Sequence, residues 1–145
     1  MDILLIDRDS LNNQLIRKRL EEAGHNIVEE PSKSDGADLL KQQNFEAVLF
    51  DPAPLSEPKS MVSNLRRASK EYPYLIIMSK ELDEIDVLRS GANLVLNKPV
   101  DADALREGLN NADRLTHLIR RIGDEAEDFP SAGGVIAKSA FNQLF

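Results

Sequence analysis

The chain has no cysteine and no tryptophan, and aromatic residues make up only 5% of it. Without cysteine, disulfides and thiolate metal sites are excluded. Long apolar runs are missing too: no stretch approaches the ~20 apolar residues that a membrane-spanning helix needs. Positive charge is in short supply, with 18 Lys and Arg against 25 Asp and Glu and a net charge of −7. That balance argues against nucleic-acid binding through a diffuse basic surface. The first residues read as a strand with an acidic Asp2 rather than a secretory signal. A cytoplasmic protein is the expectation, with neither membrane nor nucleic acid as a direct partner.

What is present suits one globular domain. The 145 residues are 41% hydrophobic and 30% charged, enough for a single core. Short apolar runs alternate with longer amphipathic stretches, the βα pattern of a parallel sheet covered on both faces. The expected strands are Asp2–Ile6, Asn26–Glu29, Ala47–Phe50, Tyr74–Met78 and Asn93–Leu96. Between them lie a helix from Ser10 to Ala23 and one from a Ser34 cap to Gln43, then helices at Lys59–Ser69 and Leu82–Ser90. In the first helix Leu11, Leu15, Ile16, Leu20 and Ala23 are assigned to the buried face, and Gly24 and Gly91 to helix stops. Three prolines within Asp51–Pro58 make that stretch a stiff loop. A last helix from Asp101 to Ile122 completes five βα units, a doubly wound α/β domain over about residues 1–120.

Three of the apolar runs end in residues suited to phosphoryl chemistry. Ile3–Ile6 leads into Asp7, Ala47–Phe50 into Asp51, and Leu94–Leu96 into Asn97-Lys98-Pro99. In a parallel sheet the carboxyl ends of the strands face the ligand crevice, so distant residues converge there. Each is unremarkable alone. A strand-end Asp is often only a helix cap, and Ser79 or Lys98 alone reads as a solvated loop residue.

The order is what points further: an acid after strand one, Asp51 after strand three, Ser79 after strand four, Lys98-Pro99 after strand five. With Glu22-Ala23-Gly24-His25 and Ser90-Gly91-Ala92, the pattern resembles the receiver domain of two-component response regulators over about residues 1–120. The resemblance implies a flavodoxin-like (βα)5 fold with a five-stranded parallel sheet and a signalling module rather than an enzyme. It implies Asp51 as phosphoacceptor, with a histidine kinase or phosphotransfer protein as the donor. It further implies Mg2+ held by Asp7, Asp51 and the backbone carbonyl of Ala53, Lys98 on the phosphoryl oxygens, a cis Lys98–Pro99 bond, and Ser79 as the switch hydroxyl.

The chain departs from that family at two positions. Arg8 stands where a second metal-binding acid is usual, and a guanidinium cannot ligate a cation. Arg8 is expected to pair with Asp7 or Asp51 and weaken Mg2+ binding, unless it points into solvent and Asp9 supplies the charge. Val95 replaces the usual aromatic switch residue. These departures keep open a degenerate, phosphorylation-independent receiver acting as an interaction or dimerisation module. A third reading takes Asp7-Arg8-Asp9 as the opening of a haloacid-dehalogenase-type phosphatase, with Gly123-Asp124…Glu127-Asp128 as its metal motif. It leaves Asp51 without a role.

Residues 1–122 are assigned to the receiver and 123–145 to a linker and the start of a truncated downstream segment. Ala112, Leu115, Ile119, Ile122, Ala126 and Phe129 follow a 3-4-3-4-3 spacing, which suits either a homodimer through the last helix or, for Ala112, Leu115 and Ile119, packing of that helix on its own sheet. Gly123 and Asp124-Glu125 are expected to fray that helix, with Pro130 ending it. The output domain, absent here, is not specified by these residues. His25 and His117 are isolated and read as surface or packing residues.

Overall fold

The computed structural model describes residues 1–52, 58–80 and 84–127. Strands and helices alternate as β1 (Asp2–Ile6), α1 (Ser10–Glu22), β2 (Asn26–Glu29), α2 (Lys33–Gln42), β3 (Ala47–Phe50), α3 (Pro58–Ala68), β4 (Tyr74–Ser79), α4 (Glu84–Arg89), β5 (Leu94–Asn97) and α5 (Ala102–Glu127). The strands form one parallel sheet in the order β2-β1-β3-β4-β5. This is the flavodoxin-like doubly wound topology, as the sequence predicts.

The strands read as unbroken apolar runs because both of their faces are buried. Alternate residues serve opposite layers. Ile3, Leu5, Leu49, Ile76 and Met78 pack with Ile16 and Leu20 of α1 and Leu105, Leu109 and Ala112 of α5. Leu4, Ile6, Val48, Phe50 and Ile77 pack with Leu40, Val62, Leu65 and Val87 of α2, α3 and α4. Register brings the strand ends to one edge: Ile6 lies opposite Phe50, Phe50 opposite Ile77, and Ser79 opposite Asn97. The strand order reverses between β1 and β3, so Asp7 and Asp51 flank the switch point where such sheets bind ligands.

Helix α1 corrects the expected buried face. Asn13, Ile16 and Leu20 are buried, whereas Leu11 and Leu15 are 67% and 57% exposed. The cause lies at its first turn. Asp9 caps the helix, and the Asn13 amide donates to the Asp7 backbone carbonyl at 2.7 Å. With Asn13 turned inward, a step of about 100° per residue places Ile16 and Leu20 beside it and Leu11 and Leu15 on the opposite side. Leu15→Ala is therefore expected to change unfolding free energy by no more than about 0.5 kcal/mol. Leu20→Ala should cost about 3 kcal/mol. Urea titrations of the two variants check this, and equal losses would mean that α1 docks in the other phase.

Two helix ends also differ from expectation. Ser32, not Ser34, caps α2, accepting from the Asp35 N–H. Helix α5 continues past Ile122 and Gly123 to Glu127. A glycine costs a helix interior only about 1 kcal/mol relative to alanine, which good helix formers on both sides offset. Phe129, Pro130 and the rest of the expected linker and downstream segment lie outside the described residues. Gly24 and Gly91 act as the predicted stops, with φ of 91° and 122° that other residues rarely adopt.

Candidate functional site

The three strand-end residues meet. Lys98 Nζ lies 2.7 Å from Asp7 Oδ2 and 2.5 Å from Asp51 Oδ2, with Asp9 Oδ2 farther off at 3.9 Å. The side chains of Asp7, Lys98 and Asp51 are 3%, 6% and 10% exposed, so this ion triad is largely withdrawn from water. Burial alone would push the Lys98 ammonium down. Hydrogen bonds and charge from Asp51 and Asp7 outweigh it and raise the pKa above the ordinary lysine value. Lys98 thus stays charged throughout the neutral range.

The backbone fixes each partner. The Asp51 N–H donates to the Ile6 carbonyl at 3.0 Å, extending the β1–β3 ladder past the end of β3. The Lys98 N–H donates to the Ser79 carbonyl at 2.9 Å, and the Lys98–Pro99 peptide is cis, as the resemblance implied. Ser79 is buried at the end of β4, between the strands that carry Asp51 and Lys98. Ala53, the expected source of a carbonyl ligand, lies outside the described residues.

Arg8 does not behave as its position suggested. Its side chain is exposed, and among the described residues it pairs with neither Asp7 nor Asp51; the ammonium of Lys98 does so instead. Asp9 is the residue that turns toward the pocket, while its other oxygen caps α1 through the Asn12 N–H at 3.1 Å. Val95 is half-buried and packs into the α2/α3/α4-side layer, an aliphatic filler where an aromatic had been the family norm.

Strand-end logic does not reach two further residues, Asn12 and Asn13. The Asn12 amide donates to Asp7 Oδ2 at 2.9 Å, and Asn13 holds the Asp7 carbonyl. The available signal was a pair of amide side chains one turn after a helix-capping Asp, which pattern analysis treats as neutral. The histidines stay outside the pocket. His25 bonds the N-terminal amine at 3.1 Å, and burial followed by that positive charge lowers its pKa. His117 is exposed beside Asp113 on α5. A cleft of about 610 Å³ between α1 and α5, lined by Leu20, Leu105, Leu109, Arg19, Arg106 and neighbours, contains none of the triad.

The phosphatase reading fails on the fold. Its metal motif requires a strand before Asp124, and Gly123–Glu127 instead continue α5.

Comparisons with known proteins bear on the fold. A response regulator receiver domain protein from Clostridium thermocellum superposes with a TM-score of 0.71 at 26% identity, covering 81% of this chain and 97% of that one. The chain belongs to the response-regulator receiver family. No protein-family model matches it. The transcriptional regulatory protein AfsQ1 of Streptomyces coelicolor is 26% identical over 137 residues, 92% of this chain but only 58% of AfsQ1. The receiver domain of the Pseudomonas aeruginosa sensor histidine kinase PA1611, solved with a magnesium ion coordinated in its active-site cleft, shares the fold at a TM-score of 0.65 and 22% identity. That match covers 76% of this chain and 94% of the PA1611 domain. Among the described residues no helix of this receiver is long and apolar enough to cross a membrane.

Proposed function

We propose that this receiver accepts a phosphoryl group on Asp51 from a histidine kinase or phosphotransfer protein and passes the change on through its last helix. The observation that supports this most is the shared ammonium of Lys98 between Asp7 and Asp51. An Asp51 carboxylate oxygen attacks phosphorus, a P–O bond forms, and the bond to the donor's imidazole nitrogen breaks with its electron pair returning to the ring. Lys98 then moves from neutralising a carboxylate to pairing with the phosphoryl oxygens, keeping its charge throughout. Ser79, at the neighbouring strand end, is placed to donate its hydroxyl to the new group and draw the following loop inward.

The donor set suits a hard cation. Mg2+ binds through one or two carboxylates and keeps several waters, and Asp7 and Asp51 offer that pair, with Ala53 as the proposed third ligand. Among the described residues no group of three or more His, Cys, Asp and Glu gathers to hold a metal, and Arg8 adds no ligand. When bound, the cation neutralises charge between the acceptor carboxylate and the incoming phosphoryl oxygens. The domain acts as a cytoplasmic signalling module rather than an enzyme. Residues 1–122 form the receiver and 123–145 lead to an output segment. Of the expected seam, Ala112 is buried and Leu115 packs on the core of this domain, which leaves the half-buried Ile119 and Ile122 as its accessible part for a homodimer.

Adding beryllofluoride with Mg2+ to labelled protein should shift amide resonances around Asp51, Ser79 and Lys98, and Asp51→Asn should abolish the shifts. Arg8 and Val95 favour the second reading, a phosphorylation-independent interaction module. An unresponsive wild type with Arg8→Asp restoring the response would establish that reading instead.

A further inference from the structure

Asp7 is held by more donors than a freely available ligand would be. Its Oδ1 accepts the Asp9 N–H at 2.9 Å, and its Oδ2 accepts both the Asn12 amide at 2.9 Å and the Lys98 ammonium at 2.7 Å. A carboxylate has roughly four lone-pair sites, two on each oxygen. Oδ2 is therefore saturated and only one site on Oδ1 is left. The backbone of Asn12 is fixed as well, since Asp9 Oδ1 accepts its N–H at 3.1 Å in the first turn of α1. Asp7, Asp9 and Asn12 form a closed ring of hydrogen bonds beside Lys98, while Arg8 stays outside in solvent. The negative charge of Asp7 is thus met by groups of this chain.

We infer that Asn12 is a positioning residue that sets the cation affinity of the acid pocket. By holding Asp7 Oδ2 together with Lys98, it takes up a coordination point that a divalent cation would otherwise use. The inference rests on the receiver reading of the pocket but does not require that Asp51 be phosphorylated. Arg8 removes a ligand by its identity alone, and Asn12 withholds one by contact.

The test is a Mg2+ titration by calorimetry, with Mn2+ water-proton relaxation as a second readout, on the wild type, Asn12→Leu and Asn12→Asp. Far-UV circular dichroism checks that each variant is folded. Leucine keeps the branched outline and removes the donor, which frees one site on Oδ2, so Mg2+ should bind about threefold more tightly. Aspartate puts a second carboxylate against Asp7 Oδ2 and should tighten binding at least about tenfold, the scale on which outer contacts tune metal sites. Unchanged affinity in Asn12→Asp, or weaker binding in Asn12→Leu as expected of a merely supporting contact, would overturn the inference. Phosphorylation of wild-type Asp51 is assayed separately. Its failure would count against the functional reading and leave the cation result standing.

Discussion

Replacing Lys98 with methionine is expected to cost about 3 kcal/mol of folding stability at neutral pH, the low end for breaking a buried ion pair by removing one partner. Methionine keeps the unbranched side chain out to Cε and removes the charged nitrogen. Asp7 and Asp51, 3% and 10% exposed, would then face each other without the ammonium that both now contact. Because Asp51 and Asp7 hold the Lys98 pKa above its usual value against the cost of burial, the lysine's contribution is fully present below the ordinary lysine range. It fades only as pH rises through the raised value, so it should be constant near neutrality. A divalent cation can take over the same charge compensation, and millimolar Mg2+ should restore part of the loss in the variant. Urea unfolding followed by circular dichroism, with and without Mg2+, measures both effects. A loss below about 1 kcal/mol would place the triad with exposed, weakly coupled pairs.

Arg66→Ala should be comparably damaging, at about 3 kcal/mol, although Arg66 lies away from the acid pocket. Its guanidinium donates to the carbonyls of Gly91 (2.7 Å from Nη2) and Pro73 (2.7 Å) and to Asn93 Oδ1 (2.9 Å), and it stacks 3.8 Å over the Tyr72 ring. Burial, partly countered by Tyr72, lowers its pKa, and oxygen dipoles rather than a carboxylate stabilise its charge. Hydrogen bonds to a charged group contribute about 1.5–3 kcal/mol each when lost singly. They are not additive, since the freed acceptors partly relax toward water. The fork ties α3 to the turn between α4 and β5, and Asn93 Oδ1 also accepts the Leu75 N–H at 2.8 Å. Lysine has one ammonium and cannot span three acceptors, so Arg66→Lys should recover less than half of the loss. Full recovery by lysine, read from denaturation midpoints, would show that charge rather than the fork matters.

The strands were legible because β1, β3 and β4 are buried on both faces and therefore read as apolar runs bounded by turn residues. Once their order was fixed, Asp7, Asp51 and Lys98 followed from standing at strand ends. The phase of α1 was not legible. A polar Asn13 turns inward to serve the Asp7 carbonyl, and an apolar count rewards Leu11 and Leu15 for the opposite face. The end of α5 lies beyond Gly123 because one glycine weighs less than the helix formers around it. The orientation of Arg8 depends on which side chain reaches the carboxylates first, and Lys98 arrives from a strand 91 residues away. Arg66 carries no pattern, and Asn12 only that of an amide one turn after a capping Asp; their roles exist in the contacts.

In the proposed function the Asp7–Lys98–Asp51 pocket accepts phosphoryl groups on Asp51. Intact-mass spectrometry after incubation with acetyl phosphate and Mg2+ tests it most directly. A gain of one phosphoryl group is expected, and it should disappear in Asp51→Asn and on removal of the cation. Wild-type protein whose mass stays unchanged at millimolar donor and Mg2+, or a gain that survives Asp51→Asn, would contradict it.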